Sequence, residues 1–462
     1  MEKLTFAQVE EYLLECRGCG KMHLPLTEIH NGRSYCVACK EKVAKCAVNN
    51  EYYLKEEMTY FDVQDIWIKE PSQMSVKKSC VSRKNIYTGS ISKGMPASKE
   101  VKIRDDDDGV ALLEEFERND YVELYNNRYT KKKNVFNWGG EMFRRENAIE
   151  VLHEKGKIIS NYSHKPEPIF KKTVEKELEF KDGRGEKVKR GVPYLGFELE
   201  MSCIPTHSGE PNEEGKYPNG LNEEDRKRMK VASLEMLKYI VENKLEELFY
   251  FKQDSSVLNG WETVSHPCTL SFWKQVDFRA YFDKLKSLGM DEHDTCGLHV
   301  HVSRDALTPK EWWTLVSFMS KNANKIIKLS RRSKDRLRFC KWSGAEGLIG
   351  ALANGKNIYN VAPKQNDRAS ALNFLPKHTV EFRLFKSTSS AEELLASFAL
   401  VESLVMFART YSFMYVQDAR TSDLWKEYTE FVEKSGYGNL TKMMEDKGLT
   451  KSKTKKTNVV CA

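Results

Sequence analysis

Polar and apolar residues alternate with a period of two in several short stretches of the second half of the chain. In YLGFELEMS, Leu195, Phe197, Leu199 and Met201 fall on one side and Glu198 and Glu200 on the other. In GLHVHVS, Leu298, Val300 and Val302 oppose His299 and His301. In KHTVEFRLF, Val380, Phe382 and Leu384 oppose Glu381 and Arg383. This period is that of a strand with one buried face. Residues i and i+2 on one face stand about 6–7 Å apart, so His299 and His301 can line one cavity but do not by themselves hold one small ion. FKQDSSV adds Asp254, Ser255 and Ser256 after an aromatic run, and GWETVSHP adds Glu262, Ser265 and His266 before a proline.

Helical periodicity fills the intervals. Asn222 to Leu248 and Leu270 to Leu288 read as helices. Thr308-Pro309-Lys310-Glu311 combines a cap residue, proline at the first helical position and glutamate at the third, opening an apolar helix through Leu329. Ser390-Ala391-Glu392-Glu393 opens another. The predicted class is α+β, with strands from one curved antiparallel sheet. The first half is less patterned. Val110 to Arg118 and Met142 to Lys155 have helical spacing. The acidic run Asp105 to Asp108 and the basic run Lys131 to Lys133 read as solvated loops, and KDGRGEKVKRG reads as a hairpin tip or linker. No internal repeat is evident. Expected boundaries are a small module over 1–50, an undefined region over 51–185, a catalytic domain over 186–445 and a disordered basic tail over 446–462.

Composition narrows the class. The 462 residues are 40% hydrophobic and 11% aromatic, enough for two or three domains. Mean hydropathy is -0.60, without a long apolar run, so a membrane span is not expected. The N-terminus has acidic residues and no apolar signal core, and a cytoplasmic location is expected. A net charge of +7, spread along the chain, permits an anionic ligand or nucleic acid without indicating the latter. Among 11 cysteines, Cys16 and Cys19 form one CxxC and Cys36 and Cys39 another, 16 residues apart. That spacing predicts a structural zinc site: four thiolates suit tetrahedral zinc and leave no open position for catalysis. Cys46 lacks a CxxC partner, because Asn49 stands there.

The strand faces carry the chemistry. Singly, each is explained by a solvated face. Together they offer Glu198, Glu200, His299, His301, Glu381 and Arg383, and on one wall such carboxylates would repel one another unless cations neutralised them. Hard oxygen donors with imidazoles favour Mg2+ or Mn2+, which commonly accompany a polyphosphate. Arg383 suits a phosphoryl group. Neither a Walker A nor a GxGxxG pattern is present. The residues thus suggest phosphoryl transfer. A metal-dependent hydrolase using the same cluster and a non-catalytic zinc-ribbon adaptor are the alternatives.

The order GFELE, FKQDSS, GWETVSHP, GLHVHVS, DRASALN, TVEFRLF resembles the amidoligases, ATP-dependent carboxylate–amine ligases with a glutamine synthetase-like fold, over about residues 190–410. The resemblance implies a concave antiparallel sheet with helices on its outer face, holding ATP and Mg2+ or Mn2+. It implies metal ligation by Glu198, Glu200, His299 and Glu381, and phosphate contact by Arg383. It implies a base for the amine from Asp254 or Glu262, with Ser256 nearby, and nucleotide or substrate contacts by His301, Arg368, Ser370 and Asn373. Arg331, Arg332, Arg336 and Arg338 are candidates for anion binding or a solvated helix end. The implied product is an amide or isopeptide formed through an acyl phosphate. The carboxylate and amine substrates, whether small molecules, peptides or proteins, are left open.

Overall fold

The computed structural model describes residues 14–16, 19–23, 28–30, 33–91, 101–104, 109–161, 163, 166–172, 178–181, 187–203, 223–257, 259–293, 296–332 and 370–450. Contacts divide the chain into two units, Met1–Asn137 with Glu141–Ala148, and Trp138–Gly140 with Ile149–Ala462.

The first unit consists mainly of short antiparallel hairpins. Three share one closure although their sequences differ. Lys55 N–H donates to Lys42 O, Thr88 N–H to Ser75 O and Lys132 N–H to Asp120 O, each at 2.7 Å. At their turns Asn50, Arg83 and Asn127 adopt φ of 61°, 64° and 60° and donate back to Cys46, Ser79 and Leu124. A hairpin thus recurs where the sequence shows no repeat, because a left-handed turn residue and hairpin length define it. One small core joins Ala47, Phe61, Ile66, Ile68 and Tyr87. Helix occupies only Leu113–Arg118 and Ala148–Glu154 of the two stretches read as helical, since Val110–Leu112 and Glu141–Arg144 pair as strands.

The second unit is α+β. Its strands are β1 (Ile159–Ser160), β2 (Leu195–Cys203), β3 (Phe249–Lys252), β4 (Gly260–Ser265), β5 (Met290–Asp291), β6 (Gly297–Ser303), β7 (Leu372–Asn373) and β8 (Thr379–Lys386). They order as β1-β3-β4-β2-β6-β8-β7, with β5 beside the end of β2. All pairings are antiparallel except β1 with β3, which is parallel. The expectation of a purely antiparallel sheet is corrected at that edge: β1 arrives from the preceding region rather than through a hairpin. Leu178–Lys181 and Lys187–Arg190 pair as the hairpin that their glycine-rich connection suggested.

Helices are α1 (Glu223–Glu242), α2 (Phe278–Ser287), α3 (Pro309–Lys321), α4 (Ala323–Ser330), α5 (Ala391–Thr410), α6 (Phe413–Asp418), α7 (Thr421–Lys434) and α8 (Gly438–Asp446). Three expected helices are shorter or split. α1 stops where Lys244 turns left-handed and Leu245 N–H returns to Ile240 O. The segment from Leu270 breaks after Trp273, and Asp277 caps a new start through Ala280 N–H. α3 ends at buried Asn322, whose amide donates to Phe318 O. The Thr308–Glu311 capping box and the Ser390 cap form as read.

The apolar side of the sheet meets these helices. Phe197 packs on Phe398 of α5 and Phe278 of α2, and Phe249 stacks on Trp273. α5 is buried nearly all round, so its polar residues find partners: Glu402 accepts from Tyr437 OH, and Arg409 donates to Ala306 O and Gly191 O. Among the described residues no helix is long and apolar enough to cross a membrane.

Candidate active site

The other side of the sheet gathers the polar residues, and strand register arranges them in rows. Lys252 stands opposite Glu262, which stands opposite Glu200. Glu198 stands opposite His299. His301 stands opposite Glu381, which stands opposite Asn373. Six strands therefore contribute to one wall.

The contacts are close. His299 Nδ1 lies 3.3 Å from both Glu198 Oε2 and Glu381 Oε1, and its Nε2 is 3.9 Å from Glu200 Oε1. His301 Nε2 lies 3.6 Å from Glu198 Oε1. Gly297 N–H donates to Glu200 at 2.5 Å. Arg383 Nη1 donates to Glu381 Oε1 at 2.6 Å and the Asn373 amide to Glu381 Oε2 at 2.7 Å. A bulge shapes the last strand: Leu298 pairs with Phe385 but Val300 with Phe382, so Arg383 and Leu384 together oppose the single His299. Phe385, rather than Leu384, therefore stands across from Leu298, a correction to strict alternation.

Electrostatics follow from this crowding. Burial works to raise the Glu198 carboxyl, but His301 and His299 overcome it and hold Glu198 well below the usual range. Burial opposes charge on His301, yet Glu198 raises the imidazole. Burial likewise opposes charge on Glu381, and His301, His299 and Arg383 lower it. Burial raises Glu200. Burial, then repulsion from Glu198, pushes Glu262 up to about 10. Asp254 is half-buried at the rim. Its Oδ1 accepts from Ser256 N–H and Oγ, both at 2.6 Å, and these bonds lower it despite partial burial.

Two donor sets have their ligand atoms within 4.8 Å of one another, Glu198–His301–Glu381 and Glu198–Glu262–His299. Buried Glu262 Oε2 and His301 Nε2 have no hydrogen-bond partner. Oxygen-rich sets with an imidazole and orphaned buried donor atoms fit a divalent cation of the Mg2+ or Mn2+ type. The thiol sulfurs of Cys16, Cys19, Cys36 and Cys39 form a third set within the same limit. Cys16 O accepts from Cys19 and Gly20 N–H, and Cys36 O from Cys39 and Lys40 N–H, giving two tight knuckles. Hydrogen bonding to Cys36, then burial, pushes the Cys39 thiol up to about 12. A tetrahedron with Zn–S bonds of about 2.3 Å suits this set.

Of the residues singled out in the sequence, Glu198, Glu200, Glu262, His299, His301, Glu381 and Arg383 converge, with Asp254 at the rim. Asn373 spends its amide on Glu381 and its carbonyl on Leu375 N–H. Ser370 is buried. Arg368, Arg336 and Arg338 lie outside the described residues, as do 105–108 and the tail from 451. Arg331 turns away to Glu393 and Lys386 O, whereas Arg332 Nη2 approaches Gly297 beside Glu200. Lys252 was missed. The alternation of FYFK was its signal, since it puts Tyr250 and Lys252 on the side opposite Phe249 and Phe251.

Ser265 and His266 do not join the wall. Ser265 Oγ accepts from Phe197 N–H, and His266 Nδ1 accepts from Ile169 N–H. Burial lowers the His266 imidazole from 6.5 to about 4. Between those values the unfolded chain binds more protons than the folded one. The contribution is whole above about pH 6.5 and is lost as pH falls toward 4, about 3 kcal/mol in all. Thermal melting between pH 7 and pH 4 should show this loss, and His266→Gln should flatten it; an unchanged slope in the variant refutes the assignment.

The stretch that carries this carboxylate–imidazole wall matches a family of ligases that form C–N bonds. Residues 195–405, a little under half of the chain, match the family model described as "Putative amidoligase enzyme". Similar solved structures include GmaS without ligand, at 13% identity over 58% of this chain and 73% of that one, TM-score 0.30. A second is the complex of the prokaryotic ubiquitin-like protein Pup and its ligase PafA, at 9% identity over 56% and 62%, TM-score 0.29. A third is a bifunctional glutathione synthetase from Pasteurella multocida, at 11% identity over 55% and 46%, TM-score 0.25. No curated protein matches the chain.

Proposed function

We propose that the wall around Glu198 activates a substrate carboxylate with ATP and joins it to an amine, through an acyl phosphate, as an amide or isopeptide. The observation that carries this reading is Glu198 itself, shared by both donor sets and flanked by His299 and His301. Glu198, Glu381 and the histidines would hold a divalent cation, with Glu200 beside His299 as a further ligand. Bound there, that cation would neutralise charge on phosphate oxygens.

The chain's own residues do the rest. Arg383, at the open end of the row, is aimed to contact the transferred phosphoryl group, where its planar fork can bind two oxygens. Asn373 holds Glu381 in place. Ser370, buried two residues before β7, would contact nucleotide or substrate. The attacking amine must be neutral, and Asp254 is the proposed proton acceptor: it is accessible at the rim, while Glu262 lies beneath it, 1% exposed. The Cys16–Cys19–Cys36–Cys39 set would hold zinc as a structural staple. Small carboxylates and amines, peptides and protein side chains all remain within this substrate class.

The test is ADP release from ATP and Mg2+ that requires both a carboxylate and an amine, with a product mass equal to their sum less one water. ADP release with neither present, or hydrolysis of amides without nucleotide, would defeat the proposal. Arg383→Lys should lower kcat by about 100-fold, because a point charge replaces the bidentate fork. Steady-state rates check this, and a change under threefold removes Arg383 from the phosphate site.

A further inference from the structure

Lys252 ends β3 on the carboxylate side of the sheet and is 5% exposed, an unusual place for a lysine. Its Nζ stands 3.6 Å from Glu262 Oε2 and 3.8 Å from Glu198 Oε1. These carboxylates, with His299, form one of the two donor sets. Glu262 Oε2 is buried, and Lys252 is the cation that faces it. The ammonium therefore stands against two of the three donors that a second divalent cation would need. Like charges forced together in a buried site repel strongly.

The other set, Glu198–His301–Glu381, also has a neighbouring cation, Arg383 on Glu381. The two cations differ in their freedom. The Arg383 side chain is 20% exposed and has a path toward solvent, whereas that of Lys252 is 6% exposed and enclosed. An arriving ion can displace the first and not the second.

We infer that Lys252 is a tethered counter-ion filling one of two cation positions, so that the carboxylate wall takes one divalent ion instead of two. The inference rests on the metal-dependent reading above and adds the number of ions and the residue that sets it. A covalently held charge cannot be exchanged or chelated, so the ammonium stays against Glu262 and Glu198 whether or not metal is present.

The experiment is a Mn2+ titration of the full chain without nucleotide, with zinc retained on the thiol set, counting bound ions by electron paramagnetic resonance. Wild type should bind one Mn2+ and give the six-line spectrum of an isolated ion. Lys252→Met should bind two and show spin coupling. Lys252→Arg should bind one, and Glu381→Gln none. Two ions in wild type, one in Lys252→Met, or an ion retained by Glu381→Gln would overturn the inference. If Lys252→Met does not fold, the wild-type spectrum still decides, since a coupled pair refutes a single site. Carboxylate- and amine-dependent ADP release reports separately on the ligase reading, which can hold while wild type binds two ions.

Discussion

Glu198→Gln is expected to lower carboxylate-dependent ADP release by about 1,000-fold, equivalent to about 4 kcal/mol of transition-state stabilisation. The substitution keeps shape and removes charge. Glu198 stands 3.3 Å from His299 and 3.6 Å from His301 and belongs to both donor sets, so its loss disables two groups at once. The fold should survive. The variant removes one of several crowded carboxylates, and Glu198 repulsion is part of what raises Glu262. Its melting temperature should therefore stay near that of wild type, while Mn2+ affinity falls. Initial rates and a melting curve on the same preparation check both halves. An active Glu198→Gln enzyme would remove the central residue of the proposal, and an unfolded one would leave the matter to Mn2+ binding by Glu381→Gln.

Zinc removal should have the second large effect. Among the described residues, the core around the thiols comprises Cys16, Tyr35, Cys36 and Cys39 with Val43 against them. So small a cluster cannot offset the entropy of ordering its hairpins. A structural zinc in such a site supplies about 10 kcal/mol or more of local folding free energy. Chelation, or Cys36→Ser, should therefore open the hairpins around Cys16 to Cys39 to protease. The neighbouring cluster of Ala47, Phe61, Ile66, Ile68 and Tyr87 contains no thiol and should remain protected. Metal analysis should return one zinc per chain. Unchanged proteolysis after complete zinc removal would show that the thiols are not the staple.

Much of the carboxylate-bearing side of the sheet was legible because it is local. Alternation in GFELE, GLHVHVS and TVEFRLF placed the acids and imidazoles, and the Thr308 and Ser390 caps marked the starts of two helices. What escaped depends on partners distant in sequence. The parallel pairing of β1 joins Ile159 to Phe251, and nothing within either segment specifies it. The hairpins of the first unit recur through left-handed turns at Asn50, Arg83 and Asn127, residues that share a conformation without sharing chemistry. Lys252 was visible as an alternating polar residue, but its meaning required Glu198 and Glu262 from two other strands. The helix breaks at Asn322 and Asp277 come from single side chains that cap backbone groups, competing with an apolar period that runs straight through them.

The bulge at Arg383 and Leu384 bears on how finely such a site can be tuned. A regular strand is a ruler with coarse graduations, delivering side chains to one face only every 6–7 Å or so. An extra residue on one strand of the ladder works like a vernier, sliding the guanidinium by a fraction of that spacing while Glu381 on one flank and Lys386 on the other stay in register with β6. An insertion or deletion at 383–384 would thus change how far the Arg383 guanidinium extends over the wall while leaving Glu381 opposite His301.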